Sequence, residues 1–188
     1  IGDYAFYSCS NLNLNFVSGC DMTTIGEHAF AYTALSGPLT IPTKLSNIGE
    51  YAFYNTGITG ALDLKNVVVI GGHAFENANG LTGALTLEKA SSIGDYAFSG
   101  TQVSGNIKFY DSITYIGKRA FENTLIVLPN QLKSDDQNPI QIGDYAFAGC
   151  SKITNEHAIS IVNAKISKYA FQGITMKSLS IESCKIHI

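Results

Sequence analysis

The chain has 188 residues, of which 45% are apolar and only 14% charged, and it carries a net charge of −3. That balance excludes a disordered chain, which combines low hydrophobicity with high charge, and it argues against a nucleic-acid groove, which needs clustered Lys and Arg. No apolar run approaches the ~18 residues of a membrane-spanning helix.

The segment IGDYAF at Ile1–Phe6 opens a repeat. It returns as IGEHAF from Ile25, IGEYAF from Ile48, IGGHAF from Ile70, IGDYAF from Ile93, IGKRAF from Ile116, IGDYAF from Ile142 and ISKYAF from Ile166. The successive steps are 24, 23, 22, 23, 23, 26 and 24 residues. A fixed period in the twenties marks a solenoid, in which one coil cannot bury its apolar face without its neighbours. Residues 1–188 therefore read as a single solenoid of about eight coils of ~23 residues, with no linker or second domain.

Within each motif Ile, Ala and Phe stand at i, i+4 and i+5, which predicts a one-turn α or 3₁₀ segment with Phe as the main core plug. Acids at the third position (Asp3, Glu27, Glu50, Asp95, Asp144) suit the positive end of such a turn. Five or six residues after Phe comes an apolar residue (Ile58, Leu81, Val103), and four residues later an apolar-x-apolar pair. The pairs are Leu39/Ile41, Leu62/Leu64, Leu85/Leu87, Ile107/Phe109 and Leu179/Ile181. Their alternation predicts one short strand per coil in a single parallel sheet, apolar members inward. Gly37, Gly60, Gly83 and Gly105 mark a bend before it. The expected fold is thus a leucine-rich-repeat solenoid, with a parallel sheet on one face and short helical turns opposite. After Phe121 the strand comes early, and after Phe147 it is expected at Ile159 and Ile161. Both ends look cut, which suggests a fragment of a longer chain whose uncapped termini would allow end-to-end self-association.

The full phrase IGxxAFxxC, at Ile1–Cys9 and Ile142–Cys150, resembles the BspA-like branch of leucine-rich-repeat proteins. LTIP at Leu39–Pro42 and IVLP at Ile126–Pro129 resemble that branch's proline-ended strand. The resemblance implies a module of secreted or cell-surface proteins, some of them adhesins that bind host extracellular proteins. It implies no ligand-specific residues.

Cys9 and Cys150 share the small packing column of Thr33, Thr56, Ala78, Thr101, Thr124 and Ile174. Six coils at roughly 4.8 Å each separate them, too far for a disulfide. Only Cys9 with Cys20 is geometrically open. The fourth motif position forms a column of Tyr4, His28, Tyr51, His73, Tyr96, Arg119, Tyr145 and Tyr169, read as stacking between coils rather than a binding strip. His28 and His73 lie too far apart to share a metal. No motif for catalysis, a cofactor or a calcium loop is present, and Lys133–Asn138 reads as a surface loop. The candidate protein-binding face is the outward row Thr40, Asp63, Lys65, Thr86, Glu88, Lys108, Tyr110 and Ser180. Pro38 and Pro42 are also expected to point out. A non-catalytic interaction module is the leading reading. A structural spacer, or a carbohydrate-binding module using Tyr110 and the tyrosine column, stands as the alternative.

Overall fold

The computed structural model describes residues 1–13, 16, 20–109, 112–134, 138–150, 152, 158–182 and 185–186. The residue before each motif Ile lies extended with it, so that Ile points inward and its neighbour outward. The pairs Thr24–Ile25, Asn47–Ile48, Val69–Ile70, Ser92–Ile93 and Tyr115–Ile116 join Ile140–Ile142, Ala164–Ile166 and Lys185–Ile186 in one eight-stranded parallel sheet. Strands follow one another in chain order, and the register runs along the isoleucines, Ile25 opposite Ile48, then Ile70, Ile93, Ile116, Ile142, Ile166 and Ile186. The molecule is a parallel-strand β-solenoid.

The helical turn expected at IGxxAF does not form; no helix occurs among the described residues. The fourth motif residue, from Tyr4 to Tyr169, holds φ between 51° and 58°, a left-handed conformation that an α-helix of L-residues does not pass through. Its donors divide by parity instead. In the coil from Ile48, Ala52 and Tyr54 close turns on Gly49 and Tyr51 carbonyls at 3.3 and 3.1 Å. Tyr51, Phe53 and Asn55 donate to the next coil's Gly72, Ala74 and Glu76 carbonyls at 2.9, 2.7 and 2.9 Å. Spacing i, i+4, i+5 fits this turn as well as a helix, and the turn satisfies backbone donors along the whole stack. The third-position aspartates therefore serve no helix dipole. Oδ1 of Asp3, Asp95 and Asp144 accepts the next coil's N–H from Glu27, Lys118 and Lys168 at 2.8, 2.8 and 3.0 Å.

The side opposite the continuous sheet also departs from expectation. It is broken into short parallel pieces rather than one sheet: Ser36–Pro38 with Gly57–Thr59, Leu62–Asp63 with Leu85–Thr86, and Ser104–Asn106 with Leu125–Val127. Gln131–Lys133, Ala158–Val162 and Ser178–Glu182 make a fourth. Leu39/Ile41 and Ile107/Phe109 lie just past their coils' strands, which sit around Gly37 and Gly105 at φ 85° and 95°. The early strand after Phe121 and the strand at Ile159/Ile161 are as expected. Leu179 and Ile181, expected inward, are exposed, while Pro42, expected outward, is buried. All pairings are parallel.

Phenylalanines form the core's spine. Phe6, Phe30, Phe53, Phe75, Phe98, Phe121, Phe147 and Phe171 stack ring on ring with centroids 5.2–5.6 Å apart. The six inner ones are fully buried. Thr33, Thr56, Thr101 and Thr124 fill the small column beside them, each hydroxyl donating to the carbonyl of the Phe three residues earlier at 2.6–2.9 Å. Cys150 occupies the same column, and burial pushes its thiol up to about 11. Cys9, Cys20 and Cys150 are free thiols; Cys184 lies outside the described residues.

Phe98→Ala should cost about 3–5 kcal/mol in chemical denaturation, the range for emptying a buried aromatic site; a loss below about 1 kcal/mol would contradict the stacked core. At Gly94 an added Cβ would fall 2.6 Å from the Gly71 carbonyl carbon and 2.7 Å from Gly72 Cα, both backbone atoms of the preceding coil. Gly94→Ala should therefore lower stability by about 1–3 kcal/mol, although alanine is ordinarily tolerated in extended backbone. An unchanged midpoint would show that the coils can move apart.

Candidate functional site

The expected binding row is only partly assembled. Asp63 and Thr86 stand directly opposite each other in adjacent coils, Asp63 exposed and Thr86 half-buried. Lys65 is exposed and pairs with Asp63 at 3.1 Å, while Asp63 Oδ1 accepts the Lys65 N–H at 3.2 Å. This local pair holds both charges in place and leaves the spot neutral. Glu88 is half-buried. Thr40 and Lys108 are exposed but lie beyond the strands of their coils, so no ladder fixes them in register with Asp63. Ser180 is exposed in a different short sheet, where it faces Ser160. With Asn130, Ala158 and Ser178 these serines line a shallow groove of about 370 Å³. Tyr110 and residues 135–137 of the polar loop lie outside the described residues.

The continuous sheet was missed by sequence reasoning, because the Ile of the motif was assigned to a helical turn. Its outward column is Thr24, Asn47, Val69, Ser92, Tyr115, Gln141 and Lys165. The available signal was the alternation of outward residue and Ile immediately before every motif glycine. Val69 and Tyr115 are more than one-third exposed, as is the adjacent Val68. They edge a concavity of about 480 Å³ whose floor is the bare backbone of Gly71 and Gly94 and whose rim carries Glu50, His73 and Asp95.

Asp95 organises this concavity. Its Oδ1 accepts both the Lys118 N–H and the Tyr115 hydroxyl at 2.8 Å. Desolvation and the bond to Asp95 push the Tyr115 phenol up to about 12. At the rim Tyr51 lies face to face with His28 and His73, centroids 4.6 and 4.4 Å away, and His73 Nδ1 meets Glu76 Oε2 at 2.6 Å. The fourth-position column is thus a continuous stack, as expected from the sequence, with Arg119 taking the place of a ring between Tyr96 and Tyr145. The two histidines are separated by the Tyr51 ring. Among the described residues no three His, Cys, Asp or Glu side chains gather as a metal set, and no helix is long and apolar enough to cross a membrane.

Tyr115 gives this geometry a measurable sign. The folded chain keeps a phenolic proton up to about pH 12 that an unfolded tyrosine releases near pH 10. Stability from this bond is complete below pH 10 and is lost as pH rises toward 12. In denaturation series across that window Tyr115→Phe should decline less steeply than the parent chain. Identical slopes would show that the phenol–carboxylate bond is absent in solution.

Comparison with known proteins gives one positive finding. A family model described as the BspA type leucine rich repeat region matches residues 1–127 and 126–188, in six copies. Neither the curated proteins nor the solved structures give a match. Since the family model spans the chain and parallel coils recur at its period, the chain belongs to the BspA-type leucine-rich-repeat family.

Proposed function

We propose that this solenoid is a non-catalytic protein-interaction module of a secreted or cell-surface protein, acting as an adhesin toward host or partner-cell proteins. The carrying observation is the contrast between columns. Inward positions repeat almost unchanged from coil to coil (Ile25, Ile48, Ile70, Ile93; Phe30, Phe53, Phe75, Phe98), whereas outward positions beside them change in size and charge (Asn47, Val69, Ser92, Tyr115; Thr40, Asp63, Thr86, Lys108). Fixed core columns keep the stack, and variable outer columns are where a partner's shape and charge can be read. Family membership supports the same reading, since leucine-rich repeats commonly mediate protein binding. Many modest contacts over an extended face suit this surface better than one deep pocket, the concavities described above being shallow.

A pull-down with the chain as bait, from partner-cell surface proteins, should retain a protein ligand. A stalk that only spaces other domains would retain none. Replacing Asp63, Lys108 and Tyr110 together by alanine should weaken that ligand by about ten-fold or more, with Tyr110 as the main anchor. Unchanged affinity with an intact circular dichroism spectrum would remove this face and direct attention to the continuous sheet around Val69 and Tyr115.

A further inference from the structure

Beside the stacked column, the turn edge of the first three coils carries a second row of rings. Tyr7 lies 5.8 Å from Tyr4 and 5.7 Å from Tyr32, and Tyr32 lies 5.2 Å from Tyr54, at interplanar angles of 55°, 75° and 68°. Tyr4, Tyr7 and Tyr32 are 53%, 44% and 46% exposed, although neighbouring aromatics surround them. Tyr32 reaches this row from the position after it. Ala31 carries no ring at the seventh motif place, and the Tyr32 ring lies between those of Tyr7 and Tyr54, on the left-handed backbone that every coil has at its eighth motif position. No core requirement accounts for Tyr7 and Tyr32, since their motif places hold Ser99 and Asn77 in later coils, while Tyr4 ends the stacked column.

The charge around the patch has one sign. Residues 1–76 contain six acids and two lysines, Lys44 and Lys65. Both lysines are paired, with Asp21 at 2.6 Å and Asp63 at 3.1 Å. Among the described residues Asp3, Glu27, Glu50 and Glu76 have no Lys or Arg partner along the turn edge; Glu27 lies 3.5 Å from His28 Nε2 and Glu76 2.6 Å from His73 Nδ1. Glu27 accepts the Tyr4 hydroxyl at 3.3 Å, which places a carboxylate at the rim of the rings. Desolvation holds the Tyr4, Tyr32 and Tyr51 phenols above their ordinary range, helped by Glu27 at Tyr4 and by Glu76 at Tyr51, so the rings stay neutral.

Three coils on, the fold displays what such an arrangement accepts. The Arg119 guanidinium carbon lies 4.8 Å from the Tyr145 ring centroid and 5.9 Å from that of Tyr96. Its Nη1 donates to both Glu122 oxygens at 3.0 Å. Ring faces plus a carboxylate on the same edge hold an arginine there, and the first coils repeat those components with a histidine, and no Lys or Arg among the described residues, beside the carboxylate.

We propose that the Tyr4, Tyr7, Tyr32 and Glu27 surface docks an arginine-bearing segment of a partner protein. The inference rests on the reading of the solenoid as a protein-interaction module and names the chemistry it recognises. A planar guanidinium stacks on tyrosine and forks to a carboxylate, whereas an ammonium of equal charge does neither as well. The tilted rings offer separate slots for side chains rather than the flat platform on which a sugar would stack.

The full chain is titrated with two peptides of equal charge, acetyl-(Gly-Arg)4-amide and acetyl-(Gly-Lys)4-amide, at moderate salt. The arginine peptide should bind about five-fold tighter. With ring-labelled tyrosine, signals of Tyr4, Tyr7 and Tyr32 should move and that of Tyr169 should stay. Tyr7→Ser with Tyr32→Asn keeps residues the fold itself uses at these motif positions, so the stack is preserved. That variant should lose most of the arginine preference, and Glu27→Gln should weaken both peptides. Equal binding of the two peptides, or a preference that survives the double variant, would overturn the proposal. So would tyrosine-dependent binding of a xylohexaose probe without arginine binding. If the arginine preference is absent while a protein ligand still depends on Asp63, Lys108 and Tyr110, the docking surface falls and the module reading stands.

Discussion

Close approach between coils is the constraint from which the rest of this structure follows. Each coil must come within hydrogen-bonding reach of the next along the sheet and around the turn, and the motif glycine is where the fit is tightest. A side chain at Gly49 or Gly94 would meet backbone of the coil before it. Once coils lie that close, every second backbone donor of the turn can cross to its neighbour, as Tyr51, Phe53 and Asn55 do. The crossing geometry imposes a left-handed backbone at the fourth motif residue, an expense of roughly 1–2 kcal/mol for an L-residue. Inter-coil bonds and ring stacking at 4.4–4.9 Å from Tyr4 to Tyr96 offset it.

Period, coil order, parallel pairing and the inward Ile, Ala and Phe columns were all legible in the sequence, because the burial they encode repeats at every coil. The turn was misread for a definite reason. A triplet at i, i+4 and i+5 describes which side chains face the core and is silent on whether the backbone bonds run up a helix or across to a neighbour. A better signal stood two residues after Phe, where φ is 53–73° in all eight coils and six of the eight residues are Asn or Gly, namely Asn55, Asn77, Gly100, Asn123, Gly149 and Gly173 beside Ser8 and Tyr32. Asn and Gly in a fixed place argue for left-handed backbone and against a helix. The two faces are exchanged for the same reason: the x-Ile pairs carry the continuous sheet, and the apolar-x-apolar pairs lie in or beside the short pieces.

Candidate binding residues were legible only as exposed or buried. Asp63, Lys65, Thr40 and Lys108 are outside, as alternation implies, yet the Asp63–Lys65 pair neutralises its own surface. The tyrosine patch was not legible because it depends on the Tyr32 ring, one place further along its motif, coming to lie between those of Tyr7 and Tyr54. That meeting of rings from adjacent coils arises from the stacked turn and is not given by residue type.

The varying step between motifs has a consequence for how such a chain changes over generations. Steps range from 22 to 26 residues, yet Ile116 still faces Ile142 across the longest of them. Surplus length leaves the isoleucine register unchanged. Recombination between any two motif copies, even at unequal places, therefore yields another in-register stack with more or fewer coils. A gene of this design can lengthen or shorten its array in single heritable events, while the surface carried by each surviving coil is inherited intact.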